Sequence, residues 1–328
     1  MPTNLPPDYY RVEEQYRNAG SLAEKISCLE ELMRIVPKHK GTDKLRGDLR
    51  RRLSRLRETS ARKKGAARQI SPFQIPGEGA GQVVVIGPPN VGKSSLLRAL
   101  TKARPDVAEF PFSTTMPTPG MMRYENIQIQ LVDTPPVSDQ YVDPEMMNLI
   151  RRADALAILA DIQSTTMDQL ELTRSVLEKH RIIPRQLVNE NMDLQRLSPV
   201  SVLVGVNKVD DQDRDEDFQV LQELIGHEWT LAPLSLTRAR YVDDFKRAVF
   251  ELLRIIRVFS KAPGKKAELD TPFVLSQGSR IQDFGAKLHK DFQSRLKSAR
   301  IWGQGLYDGQ MVGRDHVLKD GDIVELRL

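Results

Sequence analysis

The residues of this chain whose types and spacing best fit a chemical task are Gly87-Pro88-Pro89-Asn90-Val91-Gly92-Lys93-Ser94. Two glycines flank four residues and Lys-Ser follows, the spacing of a loop that cradles phosphate. In such a loop backbone N–H groups surround the phosphates, the lysine reaches the β- and γ-phosphates, and the hydroxyl holds Mg²⁺. Here the N–H groups run from Asn90 through Val91, Gly92, Lys93 and Ser94 to Ser95, and none of the six is proline, so Pro88 and Pro89 leave the cradle intact. Lys93 is the candidate for stabilising charge during phosphoryl transfer, and Ser94 is the candidate Mg²⁺ ligand.

Three further constellations bear on the same chemistry. Asn207-Lys208-Val209-Asp210 ends an apolar run. The Asp210 carboxylate offers two acceptors to the N1–H and exocyclic amine of guanine, a donor pair that adenine lacks. The Lys208 stem can lie along the base, and Asn207 can tie the base loop to the phosphate loop. Ser235 is expected to close the base pocket through backbone N–H groups. Asp133, at the end of another apolar run, is placed to hold the water shell of Mg²⁺. Upstream, Phe110-Pro-Phe-Ser-Thr-Thr-Met-Pro-Thr-Pro-Gly120 supplies Thr114 or Thr115 as a Mg²⁺ ligand that is engaged only with a triphosphate. Asn90 suits the loop's turn conformation.

The elements that must position these residues follow from hydrophobic pattern. Strand-like runs at Val83–Ile86, Ile127–Val132, Leu156–Ala160, Val200–Val206 and Leu231–Leu234 alternate with helical patterns between Gln82 and about Ala262. That alternation predicts an α/β unit, a mostly parallel sheet with helices on both faces. Leu22, Ile26, Leu29, Met33 and Val36 mark one helix stripe, and Leu45, Leu49, Leu53 and Leu56 mark a second. With the break at Pro37 and Gly41 they predict a helical hairpin, and residues 65–81 read as a Gly/Pro linker. Residues 271–328 form a third unit: a strand at Pro272–Leu275, a helix at Ile281–Leu296 and a last strand within Asp322–Leu328. The expected domains are thus 1–80, 81–262 and 271–328.

The single cysteine, Cys28, excludes a disulfide framework. The polar start and the absence of a run of about 20 apolar residues point to a soluble cytoplasmic protein away from membranes. The net charge of +5 conceals a block between Arg34 and Arg68 with 14 basic and three acidic residues. Such a block suits nucleic-acid phosphates, or else a solvated helix face. His289 and His316 read as surface or packing residues.

Taken together, these motifs resemble a translation-factor-class GTPase, and the chain ends narrow the resemblance to the Obg/DRG family of GTP-binding proteins. Pro111-Phe-Ser-Thr-Thr-Met-Pro-Thr-Pro-Gly is similar to that family's first switch, and Arg257-Val-Phe-Ser-Lys261 to its exit from the GTPase domain. Ile301-Trp-Gly and Val312-Gly-Arg-Asp-His-Val-Leu-Lys-Asp-Gly-Asp-Ile-Val are similar to its C-terminal TGS domain, a β-grasp module. The basic hairpin resembles the family's N-terminal helices. The resemblance implies a P-loop GTPase fold, GTP and GDP with Mg²⁺, slow hydrolysis, K⁺ as a further cofactor at Asn90, and work on a ribosome or RNA through the hairpin and the TGS domain. A regulatory protein partner is a further implication.

The chain departs from the family pattern at three places. Pro136 stands where the family has a glycine whose N–H contacts γ-phosphate. Val137 stands where Ras-like proteins carry a water-orienting glutamine, an apolar position in the family as well. About residues 181–199 stand where DRG proteins insert an extra domain. Two functions are therefore carried forward: a GTPase switch, and a guanine-nucleotide-binding module (for GTP, GDP or a guanine alarmone) with negligible hydrolysis.

Overall fold

The computed structural model describes residues 7–18, 22–36, 42, 45–54, 71–102, 116–139, 142–188, 192–193, 195–289, 296–305 and 307–327. The chain divides into two compact units, Met1–Ser71 and Pro72–Leu328.

The first unit is helical. Helices α1 (Pro7–Asn18) and α2 (Leu22–Ile35) and a third, α3, described over residues 45–54, meet in one apolar cluster. Tyr9 and Val12 from α1, Leu29, Leu32 and Val36 from the second segment, and Leu49 and Leu53 from α3 form its buried centre. Helix α1 goes beyond the expected pair. It contributes Tyr9, Val12 and Tyr16, a stripe at helical spacing made weak in the sequence by the charges between. Leu29 and Val36 are buried as the pattern predicts, but between them Leu32 is fully buried and Met33 only partly. Arg46 belongs to the basic block, yet its guanidinium donates to the carbonyls of Met33 at 3.1 Å and Val36 at 2.6 Å. It satisfies carbonyls left open where α2 ends. Arg50, Arg51 and Arg52 are exposed on α3, with Arg52 paired to Asp48 at 2.8 Å. Leu56, Arg55 and Arg57 lie outside the described residues.

In the second unit, a seven-stranded sheet is built from β1 (Gln82–Ile86), β2 (Thr118–Tyr124), β3 (Ile127–Asp133), β4 (Ala155–Asp161), β5 (Ile182–Pro184), β6 (Ser198–Asn207) and β7 (Leu231–Pro233). The order is β2-β3-β1-β4-β6-β5, with β7 also on β6. Only β2 runs antiparallel. Val83–Ile86 and Leu156–Ala160 are apolar at every position because both faces of the central strands are covered. Val84, Ile86, Leu156 and Ile158 belong to one apolar cluster, and Val83, Val85, Ala157 and Leu159 to the other. Helices α4 (Lys93–Leu100), α5 (Pro144–Arg152), α6 (Thr166–Lys179), α7 (Gln212–Ile225) and α8 (Ala239–Leu252) alternate with the strands. The edge strands β2 and β5 were not anticipated. Strand β5 has three residues, and β2 carries Pro119 and Gly120.

A five-stranded sheet of order β11-β10-β12-β8-β9 comprises β8 (Ile255–Ser260), β9 (Phe273–Ser276), β10 (Ser298–Trp302), β11 (Gln310–Val312) and β12 (Ile323–Arg327). Helix α9 (Ile281–Leu288) places Ile281 and Phe284 in the sheet's apolar cluster, a β-grasp arrangement. Two expectations are corrected here. Residues 255–260, read above as the end of the first α/β unit, pair with β9 and β12 and belong to the C-terminal sheet. The last helix ends at Leu288, since His289 is extended, rather than at Leu296.

Arg257 joins the β-grasp sheet to the β2–β3 turn. Its backbone N–H and its guanidinium both donate to Asp320, with Nη2–Oδ2 at 2.7 Å, and Nη1 also reaches Glu125 and Asn126. The guanidinium lies 5.0 Å from the Phe250 ring centre, and Phe250 stacks on Tyr124. These contacts hold the Arg257 guanidinium charged. Arg257→Ala should lower unfolding free energy by about 1–3 kcal/mol, the scale of several charge-assisted hydrogen bonds and a cation–π contact. Denaturant unfolding checks it, with exposed Arg327→Ala as a control expected within about 0.5 kcal/mol of wild type.

Candidate guanine-nucleotide site

The phosphate-type loop lies between the carboxyl end of β1 and the start of α4, where ligands of open α/β sheets bind. Gly92 sits at φ +96° directly before α4. A Cβ there would lie 2.3 Å from Asn207 Nδ2, and one on Gly87 (φ +154°) would lie 2.4 Å from the Leu159 carbonyl. Both positions require glycine. Asn90, exposed, adopts φ +64°. Residues 93–95 open α4, so their N–H groups are those a helix leaves without intrahelical partners.

Lys93 is 7% exposed, and its ammonium donates to the carbonyls of Gly87 at 2.9 Å and Pro88 at 2.8 Å. Burial lowers its pKa to about 8, against the opposing pull of Asp133. Ser94 Oγ donates to Asp133 Oδ2 at 2.5 Å. Asp133 is fully buried, and its Oδ1 has no hydrogen-bond partner. Desolvation raises its pKa, while the hydrogen bond from Ser94 and the charge of Lys93 lower it. A hydroxyl beside a buried carboxylate with an unsatisfied oxygen is a hard-oxygen donor set, and it fits Mg²⁺.

The structure brings the second motif to the same edge. Strand β6 lies beside β4 with Asn207 in register with Asp161. Asn207, 4% exposed, donates from Nδ2 to the Val91 carbonyl at 2.8 Å and so ties the two loops together. Lys208 takes φ +65°, and its ammonium pairs with Asp161 Oδ2 at 2.5 Å. Asp210 is exposed and accepts from Ser235 Oγ at 2.6 Å and Thr237 Oγ1 at 3.2 Å, both on Oδ1. Ser235, expected to act through backbone N–H groups, thus meets Asp210 through its hydroxyl. Thr114 and Thr115 lie outside the described residues.

Sequence reasoning missed the groups that hold these side chains. Asp161 holds Lys208. Arg238 donates to Asp215 at 2.7 Å and to the carbonyls of Val209 at 3.4 Å and Asp211 at 3.3 Å, bracketing Asp210. The Tyr241 hydroxyl also donates to Asp215, and that bond with the Arg238 pair holds the Asp215 carboxyl below its ordinary pKa. No local motif marks Arg238 or Asp215. Asp161 alone had a signal, as an acid ending a strand.

Residues 82–191 match the family described as 50S ribosome-binding GTPase, and residues 256–327 match the TGS domain. The chain thus combines a GTPase unit with a TGS domain, and over most of its length it is similar to DRG-type GTP-binding proteins. An uncharacterized GTP-binding protein of Methanocaldococcus jannaschii is 28% identical, over 93% of this chain and 92% of its own length. Ribosome-interacting GTPase 1 of Saccharomyces cerevisiae and developmentally-regulated GTP-binding protein 1 of Xenopus laevis are each 24% identical, over 94% of this chain and 99% of their own. Strand β5 and the 3₁₀ turn Arg185–Leu187 lie within residues 181–199, the stretch that stands in place of the extra domain of DRG proteins. Among its described residues, no helix is long and apolar enough to cross a membrane.

Proposed function

We propose that this DRG-type protein binds GTP and GDP with Mg²⁺ in the cytoplasm, hydrolyses GTP slowly, and works in contact with RNA, most naturally that of a ribosome. The observation that carries the reading is the Asn207–Val91 hydrogen bond, which fixes the candidate base-reading loop against the candidate phosphate cradle. The backbone N–H groups of residues 90–95 hold the phosphates, Lys93 balances their charge, and Asp210 selects guanine. Ser94 and Asp133 would hold Mg²⁺, which when bound supplies positive charge to the phosphate oxygens. Thr114 or Thr115 is proposed as the added ligand in the triphosphate state, and Asn90 as the K⁺ contact. Single-turnover GTP hydrolysis tests this. The rate should exceed that of a Lys93→Ala control, fall on Mg²⁺ removal, and be faster in K⁺ than in Na⁺.

One observation favours a second reading, a nucleotide-binding module with negligible hydrolysis. Val137 is 1% exposed in the apolar core, and its side chain has no group to orient water. Under that reading the wild-type rate equals the Lys93→Ala rate, with or without ribosomes.

RNA contact is proposed through the exposed Arg50, Arg51 and Arg52 of α3, and the TGS domain is proposed as a second contact. If these arginines meet phosphates, replacing all three by glutamine should reduce the slope of log K against log salt by about 2–3. RNA binding measured from 50 to 200 mM salt reads that slope.

A further inference from the structure

The segment leaving β3, Asp133-Thr134-Pro135-Pro136-Val137, is pinned to the strand and loop that hold the phosphate site. The buried Thr134 hydroxyl donates to the Val85 carbonyl at 2.8 Å. The Val137 N–H donates to the Gly87 carbonyl at 3.0 Å, the same oxygen that accepts from Lys93 at 2.9 Å. The Val137 side chain belongs to the apolar cluster that includes Met146 and Met147 from α5. Pro135 and Pro136 have no N–H. From Pro135 to Val137 every main-chain donor is therefore either missing or engaged.

The consequence for ligand choice is direct. A diphosphate needs only the cradle of residues 90–95, Lys93 and the Ser94–Asp133 pair. A third phosphate beyond them would gain no main-chain donor from residues 135–137 unless the Val137–Gly87 bond broke and the Val137 side chain left the core. The ring of Pro136 also fixes its φ near −65°, which limits the ways this segment can rearrange.

We infer that Pro136 determines specificity at this site: it makes the strap after β3 a fixed strut, so that guanosine di- and triphosphates are equivalent ligands on this side. The inference rests on the guanine-nucleotide reading above and adds that the third phosphate is not read by the main chain of residues 135–137. The nucleotide is held here without moving the segment that leads into α5.

The test uses the full chain with Mg²⁺. Calorimetric titration of GDP and of the non-hydrolysable triphosphate GMPPNP is combined with amide hydrogen exchange over residues 134–147. For the wild type, exchange over 134–147 should be the same with either nucleotide, and its ratio of the two dissociation constants is the reference for the variants. Pro136→Gly and Pro136→Ala each restore one N–H, and a charge-assisted hydrogen bond to phosphate should then raise the preference for triphosphate by about tenfold or more. Exchange over 134–147 should become slower with GMPPNP than with GDP in at least the glycine variant. The inference is overturned if the wild type shows triphosphate-specific protection of 134–147, the effect an added donor there would bring. It is also overturned if both variants keep the wild-type ratio and exchange pattern. If neither guanine nucleotide binds, or ADP binds as GDP does, the guanine-site reading itself fails and the inference falls with it.

Discussion

Replacing Lys93 by alanine is expected to weaken GDP binding by about 100-fold, the scale of losing charge-assisted contacts to phosphate in a dehydrated site. The Lys93 ammonium is already out of water, held by two carbonyls of its own loop and with its pKa lowered to about 8. Phosphate oxygens arriving there meet a charge whose desolvation has been met in folding, so little of the attraction is spent on stripping water. The same burial predicts a modest effect on the ligand-free protein. Alanine loses two hydrogen bonds but removes a buried charge, and the two changes oppose each other. Thermal unfolding without nucleotide should shift by no more than about 4 °C, roughly 1 kcal/mol for a unit of this size. The upward shift that GDP gives the wild type should vanish in the variant. A variant that keeps the GDP shift would place the phosphates elsewhere.

Asp210→Asn is the second large effect. The preference for GDP over ADP should fall by about 100-fold or more, because a site built around a hydrogen-bonding pair penalises a mismatched partner heavily. Asparagine keeps the shape but replaces one acceptor with an NH₂ donor, which would face the donor edge of guanine. The loop itself should stay in place, since Arg238 holds the neighbouring carbonyls and Asp215. Ser235 and Thr237 both donate to Oδ1, so an amide oxygen at that position keeps them satisfied. Xanthosine diphosphate, with a carbonyl where guanine has its amine, should bind the variant better than GDP does. Competition against a fluorescent GDP analogue reads all three ligands, and unchanged selectivity would refute the base-reading role.

Local spacing made the two nucleotide motifs legible. Gly87 to Ser94 and Asn207 to Asp210 are short runs whose residue types match one ligand, and the strands before them are apolar throughout. The alternating α/β pattern and the C-terminal unit were legible for the same reason. The brackets around the motifs were not. Arg238 reaches back 29 residues to Val209, and Arg257 reaches 132 residues to Glu125, distances at which no pattern along the chain carries information. Residues 255–260 were read as the end of the α/β unit rather than as a strand, because their pairing with β9 and β12 is not written in the local pattern. Pro136 was legible as a missing donor. That Val137 spends its own N–H on Gly87 needed the fold.

Titration of the wild-type chain with GDP and with ADP, in Mg²⁺ and at one salt concentration, tests the central claim most directly. One site should bind GDP at least about 100-fold more tightly than ADP, the discrimination expected of a carboxylate facing a matched donor pair. Equal affinity for the two, or no binding of GDP, would contradict the account.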